Sequence, residues 1–409
     1  MTVDELTRTA MVMEAERMSV VTLEAQADIE RRTLTAETQA RASIQTKLGI
    51  KESSVGGASG LVDVRIAEKR PVLSPLLLEE ALPLSVAAAK TTQQARIAIG
   101  NVLTGKDSRL LVITGPCSIH DGDAALEYAR NVARWRQIYG DTLEIIMRCY
   151  PEKPRTELGW KGLVYDPRLD GSDDINLGLT LTRLIALRIN ELGVPIAMER
   201  LNASTPQFVD GLVAYDAIGA RNTTDQKARE YASGTSAPVG FKNTPDGGIS
   251  DAVSAIVAAN GKHTFLGISK SGMLASVATA GNPLAHVILR GGKSGPNYTT
   301  KHIADAKQQL AARDLLPAIV VDASHGNSGK DPAKQAEVVA DLAKQICGGE
   351  RAIMGVMLES NLVAGNQKLQ AKADLVYGQS ITDECIDIAA TEALLSTLAK
   401  AAHMRIKSA

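Results

Sequence analysis

Eight short, continuous apolar runs separated by helix-length segments constrain this chain more than any other feature. They cover residues 110–113, 143–147, 195–198, 217–220, 238–241, 287–289, 318–321 and 353–358. Runs of this kind suit parallel strands buried on both faces, and eight of them alternating with helices predict an α/β fold, a (β/α)8 TIM barrel. Each run ends in, or just before, a residue able to hold a metal or an anion. In chain order these are Cys117, Arg148, Glu199, Arg221, Lys242, Arg290, Asp322 with His325, and Glu359. In a barrel such distant positions share one mouth, at the C-terminal ends of the strands, where barrel chemistry sits. A single polar strand end is ordinarily a solvated loop start. A complete ring is not explained that way, and it predicts a metalloenzyme acting on a strongly anionic substrate.

The bulk composition narrows the partners. With 409 residues, 44% of them hydrophobic, the chain can bury a large core and carry an appendage as well. Its 45 basic residues are balanced by 46 acidic ones, which argues against nucleic acid, whose binding depends on unopposed phosphate contacts. The local ring of Arg and Lys therefore reads as a pocket for a small anion. No run of about 20 apolar residues suggests a membrane span. Asp4, Glu5, Glu14 and Glu16 leave no apolar signal core at the N-terminus, so a cytoplasmic location is expected. Cys117, Cys149, Cys347 and Cys385 lack the paired spacing of a zinc knuckle or a disulfide scaffold.

Residues 1–60 stand apart in composition from residues 61–409. Met11, Ala15, Met18, Ala25 and Ile29 share one helical face, which predicts an N-terminal helical extension that packs or oligomerises. A Gly/Ser-rich linker, 53–60, follows it. An arm with Pro71, Pro75 and Pro83 leads to a helix over 91–103. The later helices are expected at 123–138, 179–192, 225–232, 248–259, 300–312, 334–346 and 386–402. A ninth apolar stretch, 263–268, with β-prone residues up to Thr279, breaks the rhythm and predicts a β-hairpin inserted between the fifth and sixth units.

Two sets of residues carry the chemistry. Cys117, His325, Glu359 and Asp383 offer sulfur, imidazole and two carboxylates, a donor set suited to one divalent ion such as Mn, Fe, Co or Zn. Arg148, Lys153, Arg155, Arg221, Lys242 and Arg290 would crowd six positive charges into one site, which is costly unless polyanions neutralise them. Arginine forks match phosphate and carboxylate geometry, and lysine adds a movable point charge. Two phosphorylated substrates account for six cations better than one. The surrounding cations are also expected to lower the pKa of Lys153.

Several long motifs resemble class I DAHP synthases. They are Gly115-Pro116-Cys117-Ser118-Ile119-His120-Asp121, Glu152-Lys153-Pro154-Arg155-Thr156, Gly159-Trp160-Lys161-Gly162-Leu163, Ile218-Gly219-Ala220-Arg221 and Pro238-Val239-Gly240-Phe241-Lys242-Asn243. Ile288-Leu289-Arg290-Gly291-Gly292, Pro296-Asn297-Tyr298, Asp322-Ala323-Ser324-His325 and the stretch from Gly378 to Asp383 continue the series in order, from about Val62 to the C-terminus. The resemblance implies a transferase that condenses phosphoenolpyruvate with erythrose 4-phosphate and water to give DAHP and phosphate, the first step of the shikimate pathway. It implies that Cys117, His325, Glu359 and Asp383 bind the metal. Arg148 and Lys242 would hold the phosphoenolpyruvate carboxylate, and Arg221, Arg290 and the Ala220 backbone its phosphate. Lys153 would lie between the substrates as proton donor. Pro154, Arg155, Thr156 and Asp383 would complete the erythrose 4-phosphate site, and Glu199 would orient the attacking water. It further implies a homo-oligomer, dimer or tetramer, with an aromatic amino acid effector at a pocket near Pro206, Ser236 and Phe265.

The chain departs from the family pattern close to these positions. Arg200-Leu201-Asn202 stands where Phe-Leu-Asp is usual, Asn222 to Gln226 where Thr-Thr-Glu-Ser-Gln is usual, and Thr244-Pro245 where Gly-Thr is common, while Gly267 replaces a serine. Two other readings share the ring: a sibling synthase using another aldose phosphate, and a catalytically silent regulatory barrel. The Lys153-Pro154-Arg155-Thr156 segment speaks against the first and the complete ligand set against the second. Cys385, two residues past Asp383, is expected near the metal site and able to pair with Cys117 on oxidation of the metal-free protein.

Overall fold

The structure, a computed structural model, describes residues 63–407. The expected N-terminal helix, its linker and the boundary at residues 60–61 lie outside the described residues. The chain divides into the units Met1–Leu73 and Ser74–Ala409, and of the first only residues 63–73 are described, without helix or strand.

The second unit is a closed, all-parallel, eight-stranded barrel. Its strands are β1 (Leu110–Gly115), β2 (Leu143–Arg148), β3 (Ile196–Arg200), β4 (Val213–Ile218), β5 (Val239–Lys242), β8 (Ala285–Leu289), β9 (Ile319–Asp322) and β10 (Ile353–Glu359). β1 pairs with both β2 and β10, which closes the ring. Every residue of β1 through β5 is buried, as continuous apolar runs require of strands covered on both faces. The helices α3 (Gly122–Tyr139), α4 (Ile175–Glu191) and α6 (Gln226–Gly234) start at Asp121, Asp174 and Asp225, whose carboxylates accept from free backbone amides of the first turn. α7 (Ser250–Asn260), α8 (Thr300–Ala311), α9 (Gln335–Cys347) and α10 (Ile388–Lys407) complete the outer ring. Ahead of β1, Ile99, Val102 and Leu103 of α2 (Val86–Leu103) join the barrel residues Leu111, Ile113, Ala214 and Val320 in one core cluster.

The inserted hairpin is present, with β6 (Thr264–Ile268) antiparallel to β7 (Leu274–Ala278). Gly267 belongs to its packing, because a Cβ there would meet Val277 Cγ2 at 2.9 Å.

The fourth strand differs from the run at 217–220: it starts at Val213 and ends at Ile218, so Arg221 stands three residues beyond it. Asp216 hid the true start by breaking the apolar run. It is fully buried, paired with Arg200 Nε at 2.6 Å, and accepts from Tyr231 (3.1 Å) and Thr235 (2.6 Å). Arg200, the departure from the family pattern, thus neutralises a charge inside the wall of the barrel. The proline-rich arm also contains a helix not expected from its composition, α1 (Pro75–Ala81), with Pro75 in its first turn and Ser74 accepting from Leu77 N–H. After β10, β11 (Val363–Asn366) and β12 (Gln379–Ser380) pair in the long segment that brings back Asp383.

Candidate active site

The proposed metal ligands converge at the floor of the barrel mouth. Donor atoms of Cys117, Glu359 and Asp383 all lie within 4.8 Å of one another, and Cys117 Sγ is 3.5 Å from Asp383 Oδ2. His325 stands at the edge of this group, with Nε2 3.8 Å from Glu359 Oε1. Its other ring nitrogen, Nδ1, is 2.7 Å from Ser324 Oγ and 2.9 Å from Asp322 Oδ2, which leaves Nε2 to face the donors. The turn that presents this ring is left-handed at His325, φ 55°, a conformation uncommon in residues with a Cβ. The Gln335 carboxamide clamps Glu359 through both backbone groups, each at 3.0 Å. One sulfur, one imidazole and two carboxylates fit a borderline divalent ion. Burial, with Glu359 close by, pushes the Cys117 thiol up to about 12, so only a cation would make it a thiolate ligand. Cys385 is fully buried beside Cys117, its thiol facing the Asp383 carbonyl at 3.8 Å.

Lys153 corrects an expectation. Its Nζ lies 2.6 Å from Cys117 Sγ and 3.1 Å from Asp383 Oδ2. Burial alone would lower its pKa, but Cys117, Glu359 and Asp383 outweigh burial and hold it well above an ordinary lysine's. The sequence shows six cations; it does not show that Lys153 is the one aimed into the anionic donors.

Above this floor opens a cleft of about 400 Å3. Lys153, Pro154, Arg155, Thr156, Glu199, Ala220, Arg221, Lys242, Arg290, His325 and Asp383 all line it. Arg221 Nη2 donates to Thr156 Oγ1 at 2.7 Å, so the two groups assigned to different substrates adjoin. Lys242 is buried and pairs with the fully buried Asp322 at 3.1 Å. The backbone of Arg290 is fixed by Asn243 Oδ1, 2.7 Å from its N–H. Glu199 is 7% exposed, and its carboxylate has no hydrogen-bond or ion-pair partner among the described residues. It fits because Gly219 opposite has no side chain, a Cβ there overlapping Glu199 Oε1. Arg148 does not reach the cleft lining. Its guanidinium is buried over the Tyr150 ring and lies 3.0 Å from Glu359 Oε1.

Pro206 opens the short helix α5 (Pro206–Val209), Ser236 precedes β5 and Phe265 lies on the hairpin; none of the three lines the cleft. Lys270 of the β6–β7 turn donates to the Gln207 carbonyl at 2.6 Å, joining the hairpin to α5. Glu157, Leu158 and Lys330 line the cleft without having been singled out in the sequence, and Asn222 and Pro245, marked there only as departures from the family pattern, line it too. Lys330 follows His325 by five residues in a glycine-containing loop. Its place on the same strand-end loop is the signal that would have found it.

Comparison with known proteins places the chain in a family. Residues 85–396 match the family model described as the DAHP synthetase I family. The Phe-sensitive phospho-2-dehydro-3-deoxyheptonate aldolase of Escherichia coli is 50% identical over 343 residues, covering 84% of this chain and 98% of that protein. The Trp-sensitive phospho-2-dehydro-3-deoxyheptonate aldolase of Enterobacter agglomerans is 47% identical over 344 residues, covering 84% and 99%. A solved structure of phospho-2-dehydro-3-deoxyheptonate aldolase from Francisella tularensis superposes with a TM-score of 0.82 at 44% identity, covering 83% of this chain and 99% of that one.

Proposed function

The chain belongs to the DAHP synthetase I family, and on that premise we propose that it is a DAHP synthase, joining phosphoenolpyruvate to erythrose 4-phosphate and water to give DAHP and inorganic phosphate at the entry to the shikimate pathway. The observation that carries the reading is the pairing, in one cleft, of a partnerless buried carboxylate with cations that have no carboxylate of their own. Arg221, Arg290 and the Ala220 backbone take the phosphoenolpyruvate phosphate. Arg148 and Lys242 take its carboxylate. Lys153, Pro154, Arg155, Thr156 and Asp383 take erythrose 4-phosphate. The contact between Arg221 and Thr156 supports neighbouring phosphate sites, which suits a bimolecular step whose main demand is orientation.

Cys117, His325, Glu359 and Asp383 would hold one divalent ion, which when bound would polarise the aldehyde oxygen of erythrose 4-phosphate. The residues do the rest. The enol carbon of phosphoenolpyruvate attacks the aldehyde carbon, and the oxygen that becomes an alkoxide is basic enough to take a proton from Lys153, which its anionic neighbours keep charged. Positive charge then develops at C2. Glu199 orients the water that adds there and accepts its proton, and the resulting C2 hydroxyl passes its own proton to the departing phosphate oxygen as the carbon–oxygen bond to phosphate breaks, leaving a ketone. Mn, Fe, Co or Zn would suit the donors.

The effector is an aromatic amino acid bound near Pro206, Ser236 and Phe265; the relatives' names include both Phe- and Trp-sensitive enzymes. We assign residues 1–60 an oligomerising role in a homodimer or homotetramer. Among the described residues no helix is long and apolar enough to cross a membrane, and the balanced charge gives nucleic acid no purchase.

Phosphate release from phosphoenolpyruvate tests the reading, measured with each of several aldose phosphates, with chelator and with added Mn. Release with erythrose 4-phosphate alone, lost with chelator, is expected. Release with a five-carbon sugar phosphate instead would make the protein a sibling synthase, and no release with any sugar would make it a silent barrel.

A further inference from the structure

The loop after β9 sets one more cation at the cleft, and none of the roles above uses it. Lys330 lines the same cleft as Arg290, Arg221 and Lys242 and pairs with no carboxylate among the described residues. Its backbone is left-handed, φ 66°, as are those of His325 and Gly329 in the same loop. A lysine carries strain there that glycine would not, and Gly329 next to it shows that the loop accommodates glycine. The Lys330 amide donates to the His325 carbonyl at 2.7 Å, so the turn that presents the histidine also sets the root of the lysine.

The loop is fused to the one carrying Arg290. Gly326 N–H donates to the Arg290 carbonyl at 3.0 Å, and Asn327 Nδ2 reaches the Leu289 and Asp322 carbonyls at 3.1 and 2.8 Å. Arg290 and Lys330 therefore belong to one wall, whereas Arg155 and Thr156 come from the loop after β2. The charges count the same way. Arg148, Lys153 and Lys242 are each paired with a carboxylate, whereas Arg155, Arg221, Arg290 and Lys330 have none among the described residues. Two phosphate monoesters carry roughly four negative charges near neutral pH, which four unpaired cations balance and three do not.

We propose that Lys330 binds the phosphate of phosphoenolpyruvate beside Arg290 and follows it as it leaves, an assignment that rests on the synthase reading above. When the bond from C2 to the phosphate oxygen breaks, its electron pair departs with the phosphate and negative charge grows there. Lys330 stabilises that charge as an ammonium and exchanges no proton. A compact charge on a flexible stem can track a departing anion, which a clamped guanidinium cannot.

Lys330→Gly separates this role from a structural one, because glycine relieves the backbone strain while removing the charge. The variant is expected to melt no lower than the parent protein. Its KM for phosphoenolpyruvate and its inhibition constant for inorganic phosphate should both rise about five- to tenfold, with the KM for erythrose 4-phosphate unchanged. Lys330→Arg should recover most of the loss, and Lys330→Gln serves as the charge-removing variant if the glycine variant fails to fold. If the parent protein turns over and the charge-removing variant keeps its affinity for phosphoenolpyruvate and phosphate, the assignment is wrong. A rise confined to erythrose 4-phosphate also overturns it. A parent protein without turnover refutes the synthase reading instead, and titration of inorganic phosphate into both proteins then still decides whether Lys330 binds the anion.

Discussion

Replacing Gly219 with alanine probes the water-positioning role of Glu199 without touching a charged group. The Gly219 backbone is not left-handed, so alanine suits it. The new Cβ, however, would overlap Glu199 Oε1 and stand 3.3 Å from Cδ. Glu199 is nearly buried on β3, and relief comes most easily at the free end of its side chain, by a shift of about 1 Å in the carboxylate. A displacement of that size costs on the order of 100-fold when it misplaces a reacting group. Steady-state phosphate release should therefore show kcat reduced about 100-fold, with the KM values for both substrates within about twofold and the melting temperature little changed. That pattern marks an interaction made in the transition state rather than in substrate binding. A kcat within about threefold of the parent protein would refute the role given to Glu199.

Further outcomes follow from other buried groups. Glu152 accepts from Tyr165 and Asn202, and burial pushes its carboxyl up to about 7. An unfolded carboxyl titrates near 4.5, so the folded protein holds the extra proton and stability falls as pH rises between those values. Glu152→Gln should thus gain at pH 8, by at most about 3 kcal/mol, and gain nothing at pH 5; equal melting shifts at the two pH values would contradict this. Arg200→Ala should cost about 3–5 kcal/mol in urea unfolding by stranding the buried Asp216. A loss below about 1 kcal/mol would show that Asp216 does not depend on the ion pair. Oxidation of metal-free protein should link Cys117 to Cys385. Mass spectrometry finding both thiols free after oxidation would exclude the link.

The barrel was legible because each buried parallel strand is written as a local apolar run, and the ring of Arg148, Glu199, Lys242 and Glu359 because each stands at the end of such a run. What failed to show depends on contacts between distant residues. Asp216 masked the start of β4, since its neutralisation by Arg200 is invisible until β3 and β4 pair. The charge state of Lys153 follows from which side chains it meets, and those come from β1, β10 and the far C-terminal segment. Gly219 looked like any glycine in a loop motif, although its missing side chain makes the room for Glu199. Lys330 carries no local mark beyond its distance from His325.

Every role proposed at the barrel mouth depends on metal donors and both phosphate sites sharing a single cleft. Anomalous diffraction from crystals grown with Mn and phosphoenolpyruvate tests it directly. One Mn peak among Cys117, His325, Glu359 and Asp383 is predicted, with the phosphoenolpyruvate phosphate between Arg221 and Arg290 in the same cleft. A metal bound elsewhere, or phosphoenolpyruvate seated away from those arginines, would contradict it.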